Sequence, residues 1–387
     1  LSSINILSED GIERSIEPVN VDENDVVTLQ YTSGSTGNPK GVMVTYSNLL
    51  INIDIIKNYL NLGKSKSFIT WLPYYHAMGL VASMLSPVYY GGKSVIVPAQ
   101  YFTQNPLLWF KAITEYKGEY TVAPNFAYEL MANLLEKLTE EKKNEYSLKS
   151  IVRCISGSEP VHINTFIRFF NQVEKMGLDK RTIMFAYGQS EATLVETAYN
   201  IGEDLTIIKA DLNKLNSGIV DVIEEKSFYG IDKTIDENSD KELYLVANGT
   251  ANPGHKISII DVESGKELDK YQIGEIYFYG PSVTNGYYNN PEATDESFGT
   301  DAEGVRYLKT GDLGFLNKNG ELFITGRKKD LIIIRGKNFY PQDIERVSFL
   351  SDEVFVENGC AAFSSVEYDT EKLIIVQALK ENADNEQ

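Results

Sequence analysis

Thr32-Ser-Gly-Ser-Thr-Gly-Asn-Pro-Lys40-Gly41 concentrates hydroxyls, glycines and a lysine in one short stretch. Glycines 34, 37 and 41 let backbone N–H groups turn inward as an anion-binding nest, the hydroxyls add donors, and Lys40 adds positive charge. That chemistry suits a polyphosphate. The apolar run Val26-Val-Thr-Leu-Gln-Tyr31 predicts a buried strand leading into the loop. Residues 47–60 carry apolar side chains at helical spacing behind a Ser/Asn start, so the expected order is strand, phosphate loop, helix. The loop departs from G-x-x-x-x-G-K-[ST], because Asn38-Pro39 precede Lys40 and Gly41 follows it, leaving no hydroxyl behind the lysine for magnesium. The bland alternative is a Gly/Ser-rich surface turn.

At 387 residues the chain is too long for one core, so at least two domains are expected. A net charge of −19 argues against a nucleic-acid or anionic-membrane partner, since either requires a broad positive field. The sequence has no apolar run of about 18 residues to span a bilayer and no secretory signal at its start, so stable membrane insertion is not expected. Cys154 and Cys360 lie far apart, and His76, His162 and His255 lack metal-ligand spacing. Neither a disulfide framework nor a zinc site is expected, which fits a reducing cytoplasm. Leu1 in place of Met, and the polar trail over 380–387, read as cut ends.

Further along, Phe68-Ile-Thr-Trp-Leu-Pro-Tyr-Tyr-His76-Ala77-Met78-Gly79-Leu80 reads as a strand entering an aromatic loop, in which His76 alone would be a packed loop histidine. Residues 91–97 read as a turn feeding a second buried strand, and 106–116 as an amphipathic helix. Tyr120-Thr-Val-Ala-Pro-Asn-Phe-Ala-Tyr128 joins a strand to a helix through Pro124. Ile151-Val-Arg-Cys-Ile-Ser-Gly-Ser-Glu-Pro-Val161 is a strand ending in a small-residue loop that would let a planar ring lie on the backbone. Thr182-Ile-Met-Phe-Ala-Tyr-Gly-Gln-Ser-Glu191 is the second strong signal. It offers Tyr187 to stack on a base, Gly188 for close approach, the Ser190 hydroxyl for a phosphate oxygen and the Glu191 carboxylate for Mg2+. Residues 195–245, acidic around Glu224-Glu225 and 235–242, read as a solvated loop tract. Short strands and regular turns from 243 to 323 predict a β-rich subdomain. Thr310-Gly-Asp312 alone reads as a turn-forming Asp, and Gly326-Arg-Lys-Lys-Asp330 as a solvated hairpin face. The latter is also a cationic patch that could dock an acidic partner.

In order from 32 to 345, these segments resemble the motifs of the adenylate-forming enzymes, the superfamily of acyl-CoA synthetases, luciferases and adenylation domains. Within it the chain is similar to fatty acyl-AMP ligases. Leu72-Pro-Tyr-Tyr-His-Ala-Met-Gly-Leu80 matches L-P-x-Y-H-D-M-G-L except that Ala77 replaces Asp. Ala123-Pro-Asn-Phe-Ala-Tyr128 matches the acyl-pocket segment, and Tyr340-Pro-Gln-Asp-Ile-Glu345 is the most branch-specific string.

The resemblance implies the following roles. Thr32, Ser33, Gly34, Ser35, Thr36, Gly37 and Lys40 hold the β- and γ-phosphates. Gly157, Ser158, Glu159, Tyr187 and Gly188 receive the adenine, Ser190 a phosphate oxygen, and Glu191 the metal. Asp312 takes the ribose hydroxyls, and Arg327 the ribose or phosphates. His76, Phe126 and Tyr128 line the acyl pocket, Lys329 or Asp330 is the hinge, and Lys40, His76, Glu191 and Arg327 form the catalytic set. The implied fold is α/β: a large lobe of mixed sheets flanked by helices over 1–245, with a family-specific insertion within 195–245. A β-rich subdomain over 246–325 follows, then the start of a small mobile α+β lobe over 326–387. The implied reaction joins a fatty carboxylate to the α-phosphate of Mg-ATP, giving acyl-AMP and pyrophosphate, with the phosphopantetheine thiol of an acyl carrier protein or synthase carrier domain as acceptor. The family's late lysine and much of its N-terminal subdomain have no counterpart here, so this stretch is expected to bind adenylate better than it makes it. The competing readings are an acyl-CoA synthetase and a catalytically silent nucleotide-binding scaffold.

Overall fold

The computed structural model of the chain describes residues 4–7, 13–16, 19–32, 39–231, 241–334, 337–352, 354–367 and 370–380. At its centre is a five-stranded parallel sheet. Its spatial order is Lys93–Ile96, Ser67–Thr70, Tyr120–Ala123, Arg153–Ser156, Ile183–Phe185. The middle three strands are buried along their whole length, as parallel strands covered on both faces must be. Lys93–Ile96 differs: it is an edge strand and only half-buried, which corrects the expectation of a second buried strand there. Helices Leu107–Tyr116, Asn125–Glu136 and Ile163–Val173 cross over between strands and pack their apolar stripes on the sheet. Because the second strand lies outside the first and the third lies inside it, the chain reverses direction between Ser67–Thr70 and Tyr120–Ala123. In such sheets the crevice beyond the carboxyl ends of the strands is where ligands bind.

A second sheet is antiparallel and carries Lys256–Ile260, Gly274–Tyr279, Arg306–Leu316 and Phe298–Thr300, with Leu322–Arg327 also paired to Arg306–Leu316. This agrees with the short-strand pattern of the sequence. The tract read as a solvated loop is different from expectation. Thr206–Asp211 and Val222–Ser227 are strands, joined by Glu242–Val246 in a three-stranded antiparallel sheet. The acidic residues misled because they lie on the exposed central positions of Val222–Ser227, while Ile207, Ile208 and Ala210 of the neighbouring strand are wholly buried. Residues 232–240 lie outside the described residues.

The opening stretch also departs from expectation. Val26–Thr32 is a strand, yet only Gln30 in it is buried, and it pairs antiparallel with a second strand, Lys40–Thr45. Val26–Thr32 and Lys40–Thr45 are therefore the two strands of a β-hairpin, with Thr32 opposite Lys40. The helix begins one strand later, at Tyr46–Leu60 (α1), capped by Thr45, whose hydroxyl accepts the Asn48 N–H while the Asn48 side chain accepts the Thr45 N–H.

Candidate active site

Every strand of the parallel sheet that carries a recognised motif delivers it at its carboxyl end. Thr70 leads into the loop holding His76, Ala123 into Pro124 and Phe126, Ser156 into Gly157-Ser158-Glu159, and Phe185 into Tyr187-Gly188. The loop ends enclose a narrow cavity of about 60 Å³. Its wall is apolar, with Ile56, Met78, Val122, Ile155 and Met184 prominent, and Gly157, Ser158, Tyr187 and Gly188 stand along it. Gly188 admits no side chain, because a Cβ there would stand 1.7 Å from the Leu194 carbonyl oxygen.

Two chains of contacts come near one another, and the first touches the cavity through Tyr187. In the first, the Tyr187 hydroxyl donates to Asp312 Oδ2 at 2.7 Å, and Arg327 Nε lies 3.0 Å from Asp312 Oδ1. Strand register brings Asp312 and Arg327 together, since they are direct cross-strand partners in the antiparallel sheet. Asp312 is buried while the Arg327 side chain is 58% exposed. Burial pushes the Asp312 carboxyl above the ordinary range, against the pull of Arg327, and pushes the Tyr187 phenol up as well. Each Asp312 oxygen retains a lone pair, so a pair of neighbouring hydroxyls can be accepted without breaking either existing contact.

The second chain runs from the hairpin. Lys40 Nζ lies 5.0 Å from the centre of the Tyr287 ring, whose hydroxyl donates to Glu191 Oε1 at 2.9 Å. The contact follows from pairing: Met43 N–H donates to Gly286 O and Tyr288 N–H to Gly41 O, so the segment around Tyr287 runs along the hairpin edge. Burial raises the Glu191 carboxyl, and the Tyr287 hydrogen bond opposes that rise. Thr284 N–H donates to the Glu191 carbonyl at 3.0 Å and fixes its backbone.

The remaining residues singled out in the sequence are less uniform. Ser33, Gly34, Ser35, Thr36 and Gly37 lie outside the described residues, while Thr32 and Lys40 pair across the two strands. Ser158 adopts a left-handed backbone and its hydroxyl donates to Met78 Sδ at 3.3 Å. Glu159 turns away from the cavity and accepts the Phe126 N–H at the start of the Asn125–Glu136 helix. Ser190 opens a short 3-10 turn that carries Glu191. Lys329 and Asp330 are exposed just past Arg327. Lys329 lies near enough to favour the charged form of Asp312.

His76 is exposed on its loop, and its Nδ1 accepts the Met78 N–H at 3.2 Å, which puts the ring proton on Nε2. Partial desolvation lowers its affinity for a second proton. Phe126 is half-exposed and meets the edge of Trp71. Tyr128 is not on the cavity wall. It is fully buried among Trp109, Phe166 and Phe169, with its hydroxyl donating to Ile155 O at 2.5 Å. On an α-helix the side chain two positions after Phe126 turns to the other side, and here that side is the core. The departure at Ala77 acquires a physical account: the position is 3% exposed, so a carboxylate there would need buried partners.

Sequence reasoning missed Tyr287 as the link between Lys40 and Glu191. It also missed Glu196, wholly buried, whose carboxyl is raised well above the ordinary range by desolvation, with Asp312 and Glu191 adding to the rise. Met78 lines the cavity from an eight-residue π-helix, Met78–Leu85, in which the Ser83 and Ser86 hydroxyls donate to carbonyls five residues back.

Among the described residues no cluster of three or more His, Cys, Asp or Glu could hold a metal by itself. A lone buried carboxylate such as Glu191 still fits Mg2+, which takes one or two carboxylates and completes its shell with phosphate oxygens and water. No described helix is long and apolar enough to cross a membrane.

Comparison with known proteins places this geometry. The chain is 33% identical over 364 residues to the medium-chain-fatty-acid–[acyl-carrier-protein] ligase JamA of Moorena producens, covering 93% of this chain and 59% of that protein. It is likewise 33% identical over 375 residues to the putative fatty-acid–CoA ligase fadD25 of Mycobacterium tuberculosis, covering 94% and 60%. The crystal structure of a fatty acyl-adenylate ligase from Legionella pneumophila in complex with acyl adenylate and pyrophosphate superposes with a TM-score of 0.73 at 36% identity, over 95% of this chain and 62% of that one. The chain thus spans about three fifths of the length of the curated relatives it matches. The family model for AMP-binding enzymes matches residues 4–288, a segment that runs from before the hairpin through the parallel sheet to Tyr287 and its neighbour, and the chain belongs to that family.

Proposed function

We propose that this chain is the nucleotide- and acyl-binding part of a fatty acyl-AMP ligase, activating a fatty acid with Mg-ATP for transfer to a carrier-protein thiol. The observation that carries the reading is the approach of Tyr187–Asp312–Arg327 to Lys40–Tyr287–Glu191, with Tyr187 itself on the wall of an apolar cavity. The names of JamA and of the Legionella pneumophila complex support the same reading.

In the proposed reaction, a carboxylate oxygen of the fatty acid attacks the α-phosphorus, the bond to the bridging oxygen breaks, and pyrophosphate departs with the electron pair. No covalent enzyme intermediate forms, so the work of the protein is positioning and charge stabilisation. Asp312 accepts the ribose hydroxyls and Tyr187 flanks the base. Lys40 and the exposed, movable Arg327 supply positive charge to the phosphates. The apolar cavity takes the start of the hydrocarbon chain and keeps water from the carboxylate. Glu191 would hold Mg2+, which supplies charge neutralisation at the phosphates when bound. The cationic segment 327–329 is the docking point for an acidic carrier protein.

Binding of a non-hydrolysable acyl-sulfamoyl adenosine, followed by calorimetry, tests the site directly; absence of saturable binding would sink the reading. Turnover with radiolabelled fatty acid, Mg-ATP and either CoA or a holo carrier protein tests the acceptor. Acyl transfer to the carrier protein with little to CoA is the expected outcome. Rapid acyl-CoA formation would favour the second reading, a CoA ligase, which the name of the Mycobacterium tuberculosis relative supports.

A further inference from the structure

Helix α1 reaches the cavity through Ile56, Tyr59 and Leu60, and its buried face also carries two asparagines one turn apart. Asn52 is wholly buried and Asn48 nearly so. Residues four apart share a helix face, and here that face is pressed against the two loops that hold Glu191. Asn52 Nδ2 donates to the Ala192 carbonyl at 3.3 Å and to the Val195 carbonyl at 3.2 Å, while its Oδ1 accepts the Val195 N–H at 3.1 Å. Asn48 Nδ2 donates to the Pro281 and Val283 carbonyls at 3.0 and 3.3 Å. Those carbonyls bracket Ser282, whose own carbonyl accepts the Thr193 hydroxyl at 2.9 Å.

The loop so held is strained. Thr193 sits at φ 74°, ψ −56°, a backbone region costly for any residue with a Cβ and more so for a β-branched one. Such a conformation persists only when its surroundings over-determine it. The anchors are the three Asn52 bonds, the Thr193–Ser282 bond, and a further donation from Asn252 Nδ2 to Val195 O at 2.5 Å. Helix α1 follows directly from the hairpin strand Lys40–Thr45, so the same rigid element ends at the phosphate stretch and grips the loop after Glu191.

We propose that Asn52 is a positioning residue: by pinning the strained turn at 192–195 it aims the Glu191 carboxylate at the metal-phosphate position. The inference rests on the proposed function, and its test separates the two. The probes are Mn2+ with ATP, read by electron paramagnetic resonance, and an acyl-sulfamoyl adenosine without metal, read by calorimetry; amide exchange over 190–197 is followed in parallel. Asn52→Leu, of similar size and without the polar groups, is expected to melt cooperatively and, because Leu194 and Val195 also line the cavity, to lose some affinity for the metal-free mimic, though less than it loses for Mn2+. Its half-saturating Mn2+ should rise about tenfold or more, with faster exchange confined to 190–197. A folded Asn52→Leu with parental Mn2+ affinity overturns the proposal. If that variant fails to fold, Asn52→Asp keeps the acceptor for Val195 N–H and loses both donations to carbonyls; the same larger loss for Mn2+ is expected, and parental Mn2+ affinity again overturns it. A parent chain that binds neither Mn-ATP nor the mimic overturns the function reading instead, and the exchange comparison at 190–197 then decides the clamp on its own.

Discussion

The two walls of the site are held together by different physics. The polar wall is a set of charges and hydroxyls, buried apart from the exposed Arg327 and each with named partners: Tyr187, Asp312 and Arg327 on one side, Glu191 and Tyr287 on the other. The cavity wall of Ile56, Met78, Val122, Ile155 and Met184 has shape and almost no polarity. A buried polar group left without its partner incurs the full desolvation penalty, whereas an apolar wall can repack around a volume change. The first wall should therefore fail by chemistry and the second by size.

The largest effect expected of a single change is at the junction of the walls. Gly188→Ala forces a Cβ against the Leu194 carbonyl and should cost about 3 kcal/mol in urea unfolding, with loss of acyl-adenylate mimic binding. Retention of binding would mean that the two walls are less rigidly joined than the contact implies. Next, Asp312→Ala removes the acceptor for two ligand hydroxyls; at about 1.5 kcal/mol for each charge-assisted bond, mimic affinity in calorimetry should fall about a hundredfold. An affinity within about threefold of the parent would dismiss Asp312 as the ribose acceptor.

A smaller, selective effect is expected at Ala82 on the cavity wall. Ala82→Phe should weaken long-chain acyl mimics about tenfold relative to short-chain ones and leave ATP binding alone, because it changes volume and no polar partner. Equal loss of ATP would erase the contrast between the walls. The smallest effect is a pH dependence at His255. Its Nε2 accepts the Ser282 N–H at 3.2 Å and its Nδ1 faces the Pro253 carbonyl, an arrangement that requires the neutral ring; burial lowers its proton affinity. With the folded value below the unfolded one near 6.5, its contribution is present above that pH and is lost as pH falls towards the folded value. Thermal melts from pH 8 to 5 should decline below about 6.5, less so in His255→Gln; identical slopes would remove His255 as the cause.

Much of this site was legible because its residues lie in short strings at strand ends, where loop chemistry and strand pattern coincide. Tyr187, Gly188 and Glu191 stood out in that way, and the first sheet could be read from its apolar runs; Asp312, inside the strand Arg306–Leu316, and Arg327 drew attention only through the family resemblance. What escaped depended on three-dimensional pairing. The hairpin was taken for strand, loop and helix because a two-stranded ribbon exposes one side and lacks a uniform apolar run. Tyr128 looked like a pocket residue because its string matched, while burial in an aromatic cluster is invisible in a string. Asn48 and Asn52 did leave a trace: two amides four apart on a stripe otherwise made of Leu49, Ile53 and Ile56. A polar residue on a buried stripe requires partners, and those lie far along the chain.

The Tyr187–Asp312 bond joins residues 125 apart in sequence, Tyr287–Glu191 joins residues 96 apart, and Asn52 reaches 140 and 143 residues ahead. Closing such long loops is entropically late, so no fragment formed early in folding can contain a working pocket. Ligand capture during refolding should therefore lag behind recovery of helical signal, and a newly synthesised chain would remain unable to hold nucleotide until the strand bearing Asp312 had left the ribosome.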